Sequence, residues 1–72
     1  MKTLVITDLH TIGYLLKSER EDQSLTVAEL SRRSGIHVNT IWKIERCDGY
    51  PRIDVLKLLA QTLGYTQILF NL

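Results

Sequence analysis

The chain is poor in cysteine and proline and contains no long apolar stretch. Its 72 residues include a single cysteine, Cys47, so no internal disulfide can form, which is typical of a protein in a reducing cytoplasm. The apolar start at residues 1–6 is only weakly like a signal peptide, because Asp8 and His10 interrupt it and no small-residue cleavage site follows. No apolar run approaches the length of a membrane span. These absences predict a cytoplasmic protein with no membrane partner.

The motifs of catalysis and cofactor binding are also missing. His10 and His37 lack a metal-ligand spacing with Cys47 or with a pair of carboxylates. There is no glycine-rich phosphate loop, no nucleophile elbow and no arrangement that suits a catalytic triad. A lone cysteine is more often inert than catalytic. We therefore predict no enzyme activity, no metal site and no cofactor.

The length and composition predict one small domain over residues 1–72. A hydrophobic content of 44% allows a single compact core, but a marginal one, so pairing with a second copy would add stability. No linker, repeat or low-complexity segment divides the chain.

Hydrophobic periodicity predicts four helices between two short strands. We expect a first helix from Asp8 to about Glu21 with Thr7 as its cap, since apolar residues recur there at helical spacing. The strands are expected at about residues 3–7 and 67–72. In the second, apolar side chains occupy every second position, at Ile68, Phe70 and Leu72, which favours a strand.

The remaining helix boundaries follow from caps and breakers. Thr26 and Glu29 have the spacing of a capping box, which begins the second helix, and Gly35 ends it. The third helix is expected over roughly residues 38–46. Pro51 suits the entry to the fourth helix, which stops at Gly64. Two short helices hinged at one glycine, over residues 26–46, predict a helix-turn-helix that can hold a helix in the DNA major groove.

Positive charge collects on this segment. Residues 30–57 hold six Lys or Arg against three acidic residues, whereas residues 1–29 hold three against five and residues 58–72 hold none. A phosphate-facing surface has this distribution, although a solvated charged helix face would give a similar one.

The third helix has two sides. At 100° per residue, Ile41 and Ile44 share one side with Thr40 beside them. On the opposite side we expect Val38, Asn39, Trp42, Lys43 and Arg46. Asparagine matches adenine in the major groove, lysine reaches guanine or a phosphate, and valine suits a thymine methyl group. The alternative is an exposed polar face with no ligand.

The segment 12–65 resembles the Cro/repressor-type helix-turn-helix proteins, also called the Xre family. The matching residues are Ile12-Gly13, Leu16, Arg20, Leu25 to Leu30, Gly35-Ile36, Thr40-Ile41, Lys43 to Arg46, Pro51, Leu56, Leu59-Ala60 and Leu63-Gly64. The resemblance implies a mainly α domain of four to five helices, bacterial or phage-encoded and nucleoid-associated. Such a domain binds double-stranded operator DNA as a homodimer and contacts bases with the start of its third helix.

The resemblance also assigns roles to individual residues. It implies a largely buried salt bridge between Arg20 and Glu45. Together with the outward side of the third helix, it predicts DNA contacts at Thr26, Val27, His37, Val38, Asn39, Trp42, Lys43, Arg46 and Arg52.

Four positions depart from the family pattern. Val27 replaces a phosphate-binding glutamine, which puts that contact in doubt. His37 replaces the Ser or Thr that caps the third helix, and we expect a plain loop histidine there. Cys47 and Ser24 stand where glycine is common, and Gly49 is expected to absorb the turn after the third helix.

The role of Trp42 stays open on the sequence alone. An exposed tryptophan on this helix can pack on a sugar or a thymine methyl group, or anchor a protein interface. It can also fill space between the third helix and the loop after it.

Two functions of different classes agree with these features. The first is a transcriptional repressor that binds an inverted repeat as a homodimer. The second is an antitoxin that binds a toxin protein and represses its own operon, since the short chain with an apolar C-terminal strand is similar to HipB-type antitoxins, whose partners are kinase-like toxins. We expect the terminal strands to build the dimer through Ile68, Phe70 and Leu72, with the fourth helix as the alternative interface.

Overall fold

The computed structural model describes all 72 residues and shows four α-helices between two short strands. The mainly helical fold class is therefore confirmed. In chain order the elements are β1 (Thr3–Ile6), a 3₁₀ turn (Leu9–Thr11), α1 (Ile12–Asp22), α2 (Val27–Ser34), α3 (Val38–Glu45), α4 (Ile53–Thr62) and β2 (Gln67–Phe70).

The entry to α1 differs from the prediction, because Asp8 and not Thr7 acts as the first cap. The Asp8 carboxylate accepts a hydrogen bond from the backbone N–H of His10 at 2.9 Å and starts the 3₁₀ turn. Aspartate is at least as good a cap as threonine. The α-helix itself then begins only at Ile12, four residues later than predicted.

The capping box of α2 is present. The backbone N–H of Glu29 donates to the Thr26 hydroxyl, and the N–H of Thr26 donates to the Glu29 carboxylate, both at 3.0 Å. These bonds to Thr26 lower the pKa of Glu29 below its ordinary value. The stabilisation that they give is therefore present above the ordinary carboxyl pKa and is lost as the pH falls through the lowered value.

Gly35 ends α2 in the left-handed conformation with φ at 79°, as predicted. At α4 the prediction is off by two residues, because Arg52 occupies the cap position and Pro51 precedes the helix. Proline's fixed φ is tolerated there as it is in the first turn.

The two strands pair with each other in a parallel arrangement, from Thr3 beside Gln67 to Ile6 beside Phe70. They are shorter than predicted, since Thr7 and residues 71–72 lie outside the ladder. Side-chain and backbone bonds reinforce the pairing, including Gln67 Nε2 to Thr3 Oγ1 at 2.8 Å. Leu4 and Ile6 of β1 are both buried, so the two-stranded sheet forms one wall of the core.

One apolar core unites the elements. Its twelve buried residues come from β1, from all four helices and from the residues beside them: Leu4, Ile6, Ile12, Leu16, Leu25, Leu30, Ile41, Ile44, Leu56, Leu59, Ala60 and Leu63. Helices α1 and α3 approach so closely that a Cβ on Gly13 would lie 1.9 Å from the carbonyl oxygen of Ile44. Glycine at this position therefore sets the distance between the two helices.

Helices α1, α3 and α4 end in the same motif. After each, one residue has positive φ while its N–H and the next N–H donate back to the last turn, as in a Schellman motif. The left-handed residue is Gly64 after α4 but Ser24 and Cys47 after α1 and α3, with φ at 58° and 57°. Cys47 itself therefore makes the turn that was expected at Gly49. Both non-glycine residues carry the steric cost of this conformation.

We predict that Ser24→Gly stabilises the protein by about 0.5–1 kcal/mol. Glycine adopts a positive φ without the steric cost that serine has, and its larger loss of backbone entropy on folding offsets only part of this gain. Urea unfolding measures the change. The matched control is Ser18→Gly in the middle of α1, which should instead destabilise by about 0.5–1 kcal/mol. Equal losses in the two variants would contradict the strain at Ser24.

Candidate nucleic-acid interface

Helix α3 is held by one side and exposed on the other. Ile41 and Ile44 are buried in the core, while Asn39, Lys43 and Arg46 are exposed together on the opposite side. Trp42 shares this exposure, with half of its surface accessible. The helix therefore presents amide and cationic groups on a rigid support, as a base-reading element requires.

Val38 is only partly exposed, unlike the other residues predicted for this face. It is half-buried, because a residue three positions before Ile41 lies only about 60° from it around the helix. Thr40, expected beside the isoleucines, lies about 40° from Ile44 around the helix, and its side chain is exposed. Val38 and Thr40 therefore lie at opposite margins of the face, one apolar and one polar.

His37 is the cap of α3 and not a plain loop residue. Its Nδ1 accepts a hydrogen bond from the backbone N–H of Asn39 at 3.1 Å, as the side-chain oxygen of Ser or Thr would do at a helix start. The departure from the family pattern thus preserves the capping interaction. It also orders the backbone under Asn39.

The start of α2 lies beside α3. The Thr26 hydroxyl is exposed at the cap position, and Val27 is half-buried against the core. Valine has no polar side-chain atom, so Val27 has no side-chain donor for a phosphate.

The basic side chains of the interface are not committed to strong ion pairs. Arg46 lies 3.9 Å from Asp48, and Arg52 lies 3.2 Å from Asp54, with all four side chains more than half exposed. Exposed pairs of this kind contribute little, so both arginines remain accessible to an anionic partner.

Arg20 and Glu45, which the resemblance pairs, meet in the structure. The guanidinium donates two hydrogen bonds to the carboxylate, at 2.8 and 2.9 Å, and a third to the carbonyl oxygen of Leu25 at 2.7 Å. The bonds to Glu45 raise the pKa of Arg20 and outweigh the lowering by burial. The two side chains are 10% and 7% exposed. This pair joins α1 to the end of α3 and to the loop before α2.

A shallow groove of about 280 Å³ lies above this ion pair. It is lined by Lys17, Arg20, Val27, Trp42, Glu45 and Arg46. Lys17 was not among the predicted site residues. Lys17 lies three residues before Arg20 on α1, and residues at that spacing are neighbours on a helix surface. This spacing could have indicated that Lys17 lies beside the ion pair.

Two other kinds of site receive no support from the structure. No three His, Cys, Asp or Glu side chains gather where they could bind a metal ion. None of the helices combines the length and the apolar character that a membrane span needs.

The exposed face of α3, held by α2 across a glycine turn, defines a helix-turn-helix of the DNA-binding class. A family model described as helix-turn-helix matches residues 16–67, which is more than half of the chain. The chain therefore belongs to the helix-turn-helix family of Cro/repressor type, and the protein is a DNA-binding transcriptional regulator. Members of this family are not typically enzymes. No match to a curated protein or to a solved structure was found.

We predict that Arg20→Ala or Glu45→Ala alone costs about 3–5 kcal/mol of stability, because each leaves a buried charge without its partner. The double variant should cost much less than the sum. Urea unfolding of all four proteins gives the coupling energy. The exposed pair Arg52 and Asp54 is the matched control, with an expected coupling below about 1 kcal/mol. Strict additivity at Arg20 and Glu45 would show that their contact contributes nothing.

Proposed function

We propose that this regulator is a repressor that binds an inverted-repeat operator as a homodimer. The observation that carries the proposal is the exposed face of α3, where an amide and two cations stand opposite the two buried isoleucines. Because α3 is packed through Ile41 and Ile44 and tied to α1 through Glu45, this face enters a groove as a rigid unit. A homodimer places two such faces about one helical turn of DNA apart.

The residues of the interface divide into base-reading and phosphate-binding groups. Asn39 has the donor and acceptor pair that matches adenine, and Lys43 reaches a guanine or a phosphate. Val38, at the margin of the face, suits a thymine methyl group. Arg52, at the start of α4, is exposed and binds phosphate in this assignment.

We predict different consequences for Asn39→Ala and Arg52→Ala. The first should cost about 1–3 kcal/mol of binding free energy and relax selectivity at one base pair, because it removes a base contact. The second should weaken binding to all sequences alike and flatten the salt dependence, because it removes a phosphate contact. The probe is a duplex selected by the wild-type protein from a random DNA pool, titrated by fluorescence anisotropy at several salt concentrations. Equal, sequence-independent losses in both variants would overturn the base-reading role of Asn39.

The terminal strands supply the proposed dimer interface. Leu69, Phe70 and Leu72 are exposed by 54%, 42% and 72%, and Val5 beside Leu69 is exposed by 44%. Ile68 is half-buried against the core. A sheet of only two strands has two open edges, and apolar side chains on it favour association. Pairing with a second copy across a two-fold axis covers these residues.

We predict that replacing both Phe70 and Leu72 with Asp makes the protein monomeric, because the charges cannot be buried in an apolar contact. Light scattering measures the mass in solution, and circular dichroism checks that the helices persist. The matched control is Leu58→Asp on α4, an exposed apolar residue that should leave the dimer intact. A monomer in the control and a dimer in the double variant would place the interface on α4 instead.

The exposed apolar strand also supports a second candidate, an antitoxin of HipB type that binds a toxin protein. The same residues would then contact the toxin, and operator binding would serve autoregulation. Co-expression with the product of the adjacent gene tests this function. A stable complex that Phe70→Asp disrupts would favour the antitoxin, and a neighbouring gene unrelated to any toxin would favour the repressor acting alone.

A further inference from the structure

The groove above the Arg20–Glu45 pair is lined on one side by Trp42 and is here called the tryptophan groove. It is formed by α1, the first residue of α2 and the end of α3, and the indole of Trp42 lies on one side with Val27 in the same lining. Trp42 is the only tryptophan of the chain. Half of its surface is exposed, and its indole N–H makes no hydrogen bond within the protein. A large amphipathic side chain in this state is suited to an external partner.

Electrostatics restricts the kind of partner. The groove holds three cations and one carboxylate, and Glu45 is satisfied by Arg20. Lys17 and Arg46 therefore leave a net positive charge in the lining. The exposed carboxylates of Asp48, 3.9 Å from Arg46, and of Glu21, near Arg20, offset it only in part. The occupant that fits is anionic and also has an apolar surface to set against an indole.

A DNA strand has both properties, because its charged phosphates alternate with apolar deoxyribose rings. The groove is also continuous with the proposed base-reading face, since Trp42 and Lys43 are neighbours on α3 and both are exposed. An acidic peptide would also be anionic, but its binding would not explain why the groove adjoins the proposed base-reading face.

We propose that the tryptophan groove takes the backbone of one operator strand. Trp42 packs on a deoxyribose, and Lys17 and Arg46 contact the phosphates on either side. This assignment rests on the proposed DNA-binding function and explains how the chain holds the backbone although Val27 lacks a polar side chain. It adds Lys17 to the DNA-contacting residues and separates Trp42 from those that read base identity.

The tryptophan itself is the probe, because its emission can be excited without that of the tyrosines. The wild-type protein is titrated with the duplex that it selects from a random pool, and binding is followed in parallel by anisotropy of a label on the DNA. The expected result is a change in Trp42 emission together with protection of the indole from iodide quenching. Both should saturate at the same DNA concentration as the anisotropy.

Variants distinguish a backbone contact from a base contact. Trp42→Ala should weaken binding by about tenfold on every duplex without changing the selected sequence, whereas Trp42→Phe should lose about threefold at most. Lys17→Gln should reduce the slope of log affinity against log salt by about one. Lys57→Gln is the matched control, since Lys57 is an exposed helical lysine that lines the other groove of the protein, between α4 and β2, and its slope should stay at the wild-type value.

The outcomes separate this inference from the function on which it rests. A protein that binds no duplex by anisotropy would overturn both. A protein that binds duplex while Trp42 emission and iodide access stay unchanged would overturn the groove assignment alone. If replacing thymine by uracil in the duplex weakens wild-type binding as much as Trp42→Ala does, the indole contacts a base methyl group and the deoxyribose assignment is wrong.

Discussion

The ion pair between Arg20 and Glu45 holds the orientation of α3 against α1. Arg20 is a charged residue buried with its partner Glu45, and it joins three parts of the chain: α1, on which it lies, the end of α3 through Glu45, and the loop before α2 through the Leu25 carbonyl. Desolvation offsets much of the attraction in such a pair, so its main effect is to disfavour other packings of these helices. Gly13 acts in the same direction by allowing α1 and α3 into close contact.

The pairing of Glu45 with Arg20 also affects the electrostatic potential of the surface near α3. Glu45 is the one acidic residue of α3, and its carboxylate accepts both hydrogen bonds from Arg20 on the side toward α1. The outer cations, Lys43 and Arg46, are therefore left to determine the local potential. A net charge of only +1 for the whole chain is compatible with a positive interface, because the acidic residues cluster elsewhere, mostly before residue 30.

Sequence reasoning worked where a local rule decides the structure. The capping box at Thr26 and the left-handed turn at Gly35 depend on residues within one helical turn, and both were predicted. It failed where two adjacent residues could both cap the same helix, as Thr7 and Asp8 could at the entry to α1. Val38, predicted on the exposed side of α3, is only partly exposed, because it lies about 60° from the buried Ile41 around the helix. The parallel pairing of β1 with β2 had no local signal at all, since no turn joins the strands.

That pairing has a consequence for the order of folding. Thr3 and Gln67 are partners across 64 residues of sequence, whereas the contacts of α1, α2 and α3 close over much shorter loops. Closing a long loop costs more entropy, and contacts distant in sequence form slowly. We therefore expect the three-helix unit to assemble first, with Leu4 and Ile6 completing the core late.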